Sequence, residues 1–459
     1  MFVDSHCHLF YDDYKNDFDD VLQRALDTGV HAVIIPGTDL QTSMHAIQLA
    51  EKNDCVYAAV GFHPHDAKKA DDASLKKIEE LSYHRKVVAI GEIGIDYFYD
   101  FSPKEKQQET FLKQIKIAQR RNLPIIIHER ESRNDILRII EEEINNGNTK
   151  KPKGVFHCFN GDETMAKKVI EWGFYISVTG PVTFPEKTNK PNSMAAVVKK
   201  IPMHHILLET DSPYLTPAPN RGKRNEPANI PYIAKKIAEL KNISTEDVAR
   251  ASTFGVHKLF GIGKYPEPVF TYQLRNSLYI NHTIRCNADC IFCNRKGEAI
   301  LMGQNLKIEK EPSAEEIINS IGNPGKFDEI VFCGYGEPTI RFDVLKEIAR
   351  WVKQNGGKTR LNTDGHGNVI NHRNIVPELQ EIIDAVSVSL NSAEKKQYST
   401  LMRVNESMFD AMVEFSKQCV AHKIPTTMTI IEMDSVDELQ AKEFVEKKIG
   451  AQFRGRELF

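Results

Sequence analysis

Short apolar runs alternate with amphipathic, helix-like stretches through the first 263 residues. Helical spacing is clear at 18–28 and 41–52, and an apolar run suited to a buried strand follows each of these stretches. Strands separated by helices predict parallel pairing, and a region of this length fits a (β/α)8 TIM barrel. The apolar runs are MFVDSHCH, HAVIIPG, VYAAVGFHPH, VVAIGEIGIDY, LPIIIHER, KGVFHCFNG, GFYISVTG and HILLETDSPYL.

The alternation is interrupted at 264–272, where KYPEPVFTY contains two prolines and no helical period. Such a stretch predicts a linker between a first domain, 1–263, and a second domain, 273–459. The second domain repeats the strand-helix alternation and predicts a partial (β/α)6 barrel of parallel strands. Its apolar runs are NSLYINHT, EIVFCGYGEP, KTRLNTDG, AVSVSLN and TTMTIIEMD.

The composition is that of an ordinary globular protein, with 41% hydrophobic and 27% charged residues. A formal net charge of -3 argues against a strongly basic nucleic-acid coat, but it leaves room for a local phosphate site. The chain has no run of about 18 apolar residues and no basic N-terminal region followed by an apolar core. We therefore expect a cytoplasmic protein without a membrane partner.

Six side chains with nitrogen or oxygen donors stand at the carboxyl ends of the first domain's strands. Alternation along an extended backbone puts the two histidines of S-H-C-H on the same side. Each residue alone would as readily be a hydrogen-bonding group, but in a barrel these strand ends meet at one mouth. Six donors without a thiolate suit two divalent ions, with a glutamate as the bridge. The six residues are His6, His8, Glu92, His128, His157 and Asp211.

The motifs of the first domain resemble those of the TatD family of metal-dependent deoxyribonucleases. The matching segments are SHCHL, GFHPH, GEIGIDY, the histidine of IIIHER, HCFNG, and ETDSPYL with RGKRNEP. The resemblance implies a barrel of the metallo-dependent hydrolase type that cleaves phosphodiesters in DNA with two divalent ions, Mg²⁺, Mn²⁺ or Zn²⁺. It further implies that His6, His8, Glu92 and Asp211 hold one ion, and that Glu92, His128 and His157 hold the other.

The catalytic candidates of this domain are Glu92 and Asp211. We expect Asp211 to accept a proton from water in addition to binding metal. Three further residues, His63, His65 and Arg221, are candidates for holding phosphate, although a solvated or helix-capping role suits each of them equally.

One position departs from the family pattern. Glu129 stands directly after His128, where the family usually has serine, and a second acidic residue, Glu131, follows. This departure concerns the substrate pocket more than the metal ligands.

Three of the chain's eight cysteines, Cys286, Cys290 and Cys293, fall within eight residues. Thiolates at C-x3-C-x2-C spacing can bind three irons of a [4Fe-4S] cluster and leave the fourth iron without a protein ligand. A disulfide or a zinc site is the alternative, but zinc prefers four ligands and no fourth cysteine or paired histidine follows nearby. Clustered thiolates require a reducing compartment.

This cysteine loop resembles the cluster loop of the radical S-adenosylmethionine (SAM) superfamily. GYGEPT, at 334–339, is similar to the motif that binds the SAM amino group, and LNTDG, at 361–365, is similar to a later SAM-contacting strand end. The resemblance implies a [4Fe-4S] cluster, S-adenosyl-L-methionine, a 5'-deoxyadenosyl radical and an electron donor such as flavodoxin or ferredoxin. The implied SAM-binding residues are Phe292, Gly334, Gly336, Glu337 and Asn362.

The sequence therefore predicts a bifunctional enzyme, a metal-dependent deoxyribonuclease joined to a radical SAM enzyme of unknown substrate. One alternative is a hydrolase of a small phosphorylated or amide substrate that works with the radical SAM domain in one pathway. Another is that one half is a non-catalytic scaffold.

Overall fold

The computed structural model describes residues 1–185 and 193–456. The chain divides into two compact units, the first spanning Met1–Tyr265 and the second beginning at Pro266. Within the described ranges, no helix is both long enough and apolar enough to cross a bilayer.

The first unit is a ring of eight parallel strands in sequence order, β1 to β8. The N–H of Ser5, just after β1, donates to the Leu208 carbonyl at the end of β8 at 3.0 Å, which brings the two ends of the sheet together. The structure thus confirms the predicted barrel, whose strand ends all meet at one mouth. The strands are β1 Phe2–Asp4, β2 Val30–Pro36, β3 Val56–Val60, β4 Val87–Asp96, β5 Ile125–Arg130, β6 Gly154–Phe156, β7 Tyr175–Val178 and β8 Ile206–Leu208.

Helices separate these strands, and their ends follow ordinary capping chemistry. The last helix starts with a capping box, in which the Ser244 hydroxyl accepts from the Asp247 N–H and the Asp247 carboxylate accepts from the Ser244 N–H. It ends at Gly261, whose positive φ suits a helix C-terminus. The helices are α1 Phe18–Asp27, α2 Leu40–Lys52, α3 Asp72–Leu81, α4 Lys104–Arg121, α5 Arg133–Asn145, α6 Glu163–Glu171, α7 Met194–Lys200, α8 Ile230–Lys241 and α9 Thr245–Phe260, with short 3-10 helices at Asp12–Tyr14, Pro64–Lys69, Gly180–Thr183, Met203–His205 and Pro227–Asn229.

The second unit contains a seven-stranded sheet in the order β17-β16-β15-β14-β13-β10-β9. The six strands from β10 to β17 in this sheet pair in parallel, which confirms the partial (β/α)6 barrel, and β9 adds an antiparallel edge. A separate hairpin is formed by β11 and β12. The strands are β9 Thr271–Leu274, β10 Ser277–Asn281, β11 Ile300–Leu301, β12 Gln304–Asn305, β13 Ile330–Cys333, β14 Thr359–Thr363, β15 Ala385–Ser389, β16 Thr426–Ile431 and β17 Gln452–Arg456.

The helices of the second unit bury one face against its sheet. In α11 the buried residues recur at helical spacing, at Phe342, Leu345, Ile348, Ala349 and Val352. The helices are α10 Ala314–Ile321, α11 Phe342–Gln354, α12 Gly367–Ile370, α13 Val376–Ile382, α14 Lys395–Met402, α15 Ser407–Ala421 and α16 Glu438–Glu443, with 3-10 helices at Asn294–Lys296, Pro324–Lys326 and Pro338–Arg341 and a π-helical turn at Phe444–Ile449.

The predicted linker at 264–272 overlaps the start of this sheet. Thr271 and Tyr272 belong to β9, and Tyr272 is only 2% exposed. The physical reason is the segment TYQLRNSLYIN, which folds as a hairpin around Arg275, a residue with positive φ. The extended, proline-containing part of the stretch is therefore shorter than the sequence analysis predicts.

Candidate functional sites

The carboxylate of Glu92 lies at the centre of the first unit's mouth and is 3% exposed. Its Oε1 is 2.8 Å from His128 Nδ1 and 3.0 Å from His157 Nε2. Its Oε2 is 3.4 Å from His6 Nε2 and 3.6 Å from His8 Nε2. Each oxygen thus faces a separate group of imidazoles, which is the geometry that a carboxylate needs in order to bridge two ions.

Asp211 lies on the side of the mouth that carries His6 and His8. Its Oδ1 is 3.8 Å from His6 Nε2 and 3.5 Å from His8 Nε2, and the two ring nitrogens are 3.2 Å apart. Asp211 has a positive φ of 52°, and its N–H donates to the His6 carbonyl at 2.9 Å. Backbone pairing between the ends of β1 and β8 therefore sets the position of this carboxylate.

His157 stands between the two predicted ligand sets. Its ring stacks on that of His6 with centroids 4.0 Å apart, and it forms a convergent donor group with His6 and Asp211. The sequence analysis assigns His157 to a second ion with Glu92 and His128. The geometry allows it to face either set.

His63 and His65, predicted as phosphate contacts, occupy different positions. His63 Nε2 is 3.4 Å from Glu92 Oε1, and His63 forms a convergent donor group with Glu92 and His128. His65 lies one step farther out, with Nε2 2.9 Å from Asp96 Oδ2. His63 is therefore a candidate ligand as well as a candidate phosphate contact, because it leaves β3 directly at the barrel mouth.

Two buried carboxylates that the sequence analysis does not single out contact the outer nitrogens of these histidines. Asp96 Oδ2 is 3.1 Å from His128 Nε2, and Glu209 Oε1 is 3.5 Å from His157 Nδ1. A carboxylate in this position fixes the ring and presents the other nitrogen to a metal. The signal in the sequence is strand alternation, because Asp96 lies four residues after Glu92 on the same face of β4.

The electrostatics of Asp96 and Glu92 follow from these contacts. Burial raises the pKa of Asp96, but hydrogen bonds from His128 and His65 outweigh it and hold that pKa well below its usual range. Burial likewise raises the pKa of Glu92, and the charges of the surrounding histidines, led by His157, outweigh it. Both carboxylates are therefore ionised, Glu92 to bind a cation and Asp96 to accept hydrogen bonds from the two histidines.

The imidazoles and carboxylates that converge at this mouth form a donor set, and this donor set fits divalent cations. Imidazole nitrogens and carboxylate oxygens suit Zn²⁺ or Mn²⁺, and carboxylates also suit Mg²⁺. The buried Nε2 atoms of His6 and His8 face each other and two carboxylates at once. A cation satisfies all four groups together, whereas two imidazolium rings at this separation would repel each other.

The remaining predicted residues of this domain lie outside the donor set. Glu129 Oε1 accepts from the Ser132 N–H at 2.9 Å and so contacts the start of α5. Arg221 is exposed, and its guanidinium stacks over the Phe184 ring at 4.2 Å. Within the described ranges, the contacts of Arg221 do not include a member of the donor set.

In the second unit, the three clustered cysteines lie on the loop after β10 and are half-buried. The loop is anchored by the N–H groups of Asp289 and Ile291, which donate to the carbonyls of Met402 and Leu401 at 3.0 Å. Cys290 Sγ is 3.4 Å from Met402 Sδ. Burial raises the pKa of the Cys290 thiol to about 12, so a thiolate here needs a compensating cation such as iron.

The motif GYGEPT lies directly against this loop. A Cβ added at Gly336 would lie 2.2 Å from the Thr283 carbonyl oxygen, and the Glu337 N–H donates to the Arg285 carbonyl at 2.9 Å. Gly334 has a φ of +127°, which disfavours other residues. Gly336 thus admits the backbone of the cysteine loop, where the sequence analysis expects the approach of an amine.

Glu337 is 2% exposed and connects the segments GYGEPT and LNTDG. Its Oε1 accepts from the Thr339 N–H and hydroxyl at 3.0 and 2.6 Å and from the Thr363 hydroxyl at 2.8 Å. Its Oε2 accepts from the Asp364 N–H at 2.8 Å. Burial, together with the charge of Asp364, raises the pKa of Glu337 to about 8. Contact with the SAM ammonium, through the less occupied Oε2, stays a prediction.

The last two predicted SAM contacts lie near the same site. Asn362 Nδ2 donates to Cys333 Sγ at 3.5 Å, and its Oδ1 accepts from Arg360 at 3.0 Å. Phe292 is half-buried and packs against the apolar core of the second unit. The structure therefore gives Phe292 a packing role, whatever else it contacts.

Comparison with known proteins identifies both domains. The sequence profile described as TatD related DNase matches residues 3–261, and that of the radical SAM superfamily matches residues 280–446. The uncharacterized metal-dependent hydrolase YabD of Bacillus subtilis (strain 168) is 43% identical over 262 residues, which are 57% of this chain and 100% of YabD. The 3'-5' ssDNA/RNA exonuclease TatD of Shigella flexneri serotype 5b is 34% identical over 254 residues, 54% of this chain and 95% of that protein.

A solved structure has the same fold as the first unit. The crystal structure of YJJV, a TatD homolog from Escherichia coli K12, matches with a TM-score of 0.53 and 31% identity, over 57% of this chain and 98% of that one. The protein is an enzyme with a metal-dependent hydrolase domain followed by a radical SAM domain. By the match over residues 3–261, the chain belongs to the TatD related DNase family.

Proposed function

We propose that the first domain hydrolyses phosphodiester bonds in DNA with two divalent ions. The observation that carries this proposal is the carboxylate of Glu92, whose two oxygens face separate groups of imidazoles. A nucleic-acid substrate is supported by the name of the Shigella relative, an exonuclease that acts on single-stranded DNA and RNA. When bound, the ions supply Lewis acidity at the phosphodiester.

The residues of the chain have distinct roles in this proposal. Glu92 would hold both ions, one through each carboxylate oxygen. Asp96 holds the ring of His128, and Glu209 lies against the outer nitrogen of His157, so that each ring presents one nitrogen to the mouth. Asp211, with its carboxylate facing the centre, accepts the proton released by the attacking water.

Metal removal and replacement test this proposal. Protein stripped with a chelator should not cleave a DNA oligonucleotide, and Mg²⁺, Mn²⁺ or Zn²⁺ should restore cleavage. Glu92→Gln should abolish the activity, whereas Glu143→Gln, which removes a buried carboxylate on α5, should retain it. Cleavage by the stripped protein or by Glu92→Gln at the native rate would refute the proposal.

We further propose that the second domain binds a [4Fe-4S] cluster through Cys286, Cys290 and Cys293 and cleaves SAM when an electron donor such as flavodoxin or ferredoxin reduces it. The support is the half-buried cysteine loop packed against GYGEPT. Anaerobically reconstituted protein should contain about four irons per chain. Cys290→Ser should lose both iron and SAM cleavage, and Cys55→Ser, in the first domain, should lose neither. A Cys290→Ser protein that keeps its iron and cleaves SAM would contradict this assignment.

A further inference from the structure

The loop after β4 exposes three large aromatic rings beside the candidate metal centre. Phe98, Tyr99 and Phe101 are 49%, 40% and 52% exposed. Single exposed rings are common on protein surfaces, but a contiguous group next to a site marks a binding surface. The roles described above do not use these residues.

The backbone of this loop is held at both ends. Asp96 Oδ1 accepts from the N–H groups of Phe98 and Tyr99 at 2.9 and 3.1 Å. At the other end Ser102, 2% exposed, donates to the His65 carbonyl at 2.8 Å. The exposure of the rings is therefore a property of a fixed loop.

The side chain of His65 lies between these rings and the candidate ligands. Tyr99 and Phe101 stack on each other with centroids 5.3 Å apart and planes at 23°. Both meet the ring of His65, at 5.4 and 4.8 Å. His65 shares the Asp96 carboxylate with His128. A strand positioned at the metal centre would thus reach these rings with an adjacent nucleotide.

Arg130 adds a positive charge to the same surface. Its guanidinium lies 3.8 Å from the centroid of Phe98 and 4.9 Å from that of Tyr99. In the described part of the chain, this guanidinium is held by ring faces and not by a carboxylate. Stacking on a ring leaves the N–H edges of the guanidinium available to phosphate oxygens. Arg130 lies two residues after His128 on β5, and alternation puts both on one face, opposite Glu129.

We infer that Phe98, Tyr99, Phe101 and Arg130 form a platform on which an unpaired nucleobase stacks while Arg130 contacts the adjoining phosphate. The inference rests on the proposed nuclease function and identifies how that site recognises its substrate. Aromatic rings beside a cation suit a base and its phosphate, because every base offers a π-face. Bases within a duplex already stack on one another, so the platform favours single-stranded DNA.

The test compares single-stranded oligonucleotides of equal length, one with normal bases and one with abasic positions, on the full chain. Binding is followed by fluorescence anisotropy in chelator, and cleavage is followed with divalent metal. Tyr99→Leu and Phe98→Leu keep an apolar side chain but remove the ring. Tyr83→Leu is the matched control, since Tyr83 is 67% exposed and stacked by Arg121 at 3.3 Å, at the opposite end of the barrel.

We expect Tyr99→Leu and Phe98→Leu each to weaken binding of the normal strand about tenfold and to raise its KM, because one base-ring stack is lost. Binding of the abasic strand and kcat should not change, and Tyr83→Leu should behave as the native protein. Equal binding of normal and abasic strands by the native protein would overturn the inference. So would self-association by light scattering that the Leu substitutions abolish, which would assign the surface to a second copy of the chain.

The two proposals fail in different ways. Cleavage of normal and abasic strands with the same KM would sustain the nuclease and overturn the platform. Base-dependent binding without any cleavage would sustain the platform and overturn the nuclease.

Discussion

The Thr363 hydroxyl donates to the Glu337 carboxylate at 2.8 Å, so that two motifs distant in sequence form one hydrogen-bonded unit. The Asp364 N–H donates to the other carboxylate oxygen. Removing the carboxylate therefore leaves buried donors unsatisfied, at a cost of about 1–3 kcal/mol for each.

Because of this hydrogen-bonded unit, Glu337→Ala and Glu337→Gln should have different effects on stability. Glu337→Ala should lower the thermal stability of the second domain, because the donors of Thr363 and Asp364 lose their acceptor. Glu337→Gln keeps an acceptor oxygen but cannot ionise, so it should retain iron and fold while binding SAM more weakly above about pH 8, where the native carboxylate is charged. Calorimetric SAM titration and iron analysis check this. Native SAM affinity in a folded Glu337→Gln protein would exclude the carboxylate as the ammonium contact.

Stability of the second domain should fall in mild acid because of His282. This fully buried histidine lies 3.1 Å from the Pro338 carbonyl through Nε2, and burial lowers its pKa to about 4. The unfolded chain, with a pKa near 6.5, binds the proton first, so the free energy of unfolding falls as pH decreases from about 6.5 towards 4, by on the order of 3 kcal/mol.

The comparison with His282→Gln isolates this contribution. Urea unfolding of both proteins between pH 5 and 7 should give a shallower pH dependence for the variant, whatever its absolute stability. Parallel pH profiles for the two proteins would show that His282 does not titrate as described.

Asp96→Asn should weaken metal binding by about 10- to 100-fold, because the amide no longer accepts from His128. The amide oxygen can still accept from the N–H groups of Phe98 and Tyr99, so the loop should keep its place. Metal titration with activity as a second readout checks this. Unchanged metal affinity would remove Asp96 from the metal centre.

A chain ending at Tyr265 should fold by itself, because the eight strands and nine described helices of the first unit include a complete barrel. Circular dichroism and metal-dependent DNA cleavage should match those of the full chain. Aggregation of the short chain, with the full chain remaining in solution, would contradict the proposed independence of the domains.

Strand alternation in the sequence is sufficient to predict both barrels, because parallel strands between helices permit few topologies. It also places His6, His8, Glu92 and Asp211 at one mouth, since ligands at strand ends must converge there. The same logic extends to Asp96, which lies on the face of β4 that carries Glu92, but not to Glu209, which follows the end of β8. A pattern alone does not separate a ligand from the carboxylate behind it.

Other features depend on contacts between distant segments. Gly336 is close to the Thr283 carbonyl because two loops pack against each other. The sequence shows only that a glycine is present, and it does not identify the group that approaches this glycine. The hairpin of β9 and β10 is a local case in which the strand pattern of TYQL prevails over the nearby prolines.

One oxygen of Asp96 faces His65 and His128, and the other accepts from the N–H groups of Phe98 and Tyr99 in the loop after β4. A single buried carboxylate thus holds a candidate ligand and the surface beside it in one arrangement. Thermodynamic reciprocity then applies to the two kinds of ligand. If metal occupancy tightens the hold of the loop on a DNA strand by some factor, the strand must tighten the hold on metal by the same factor.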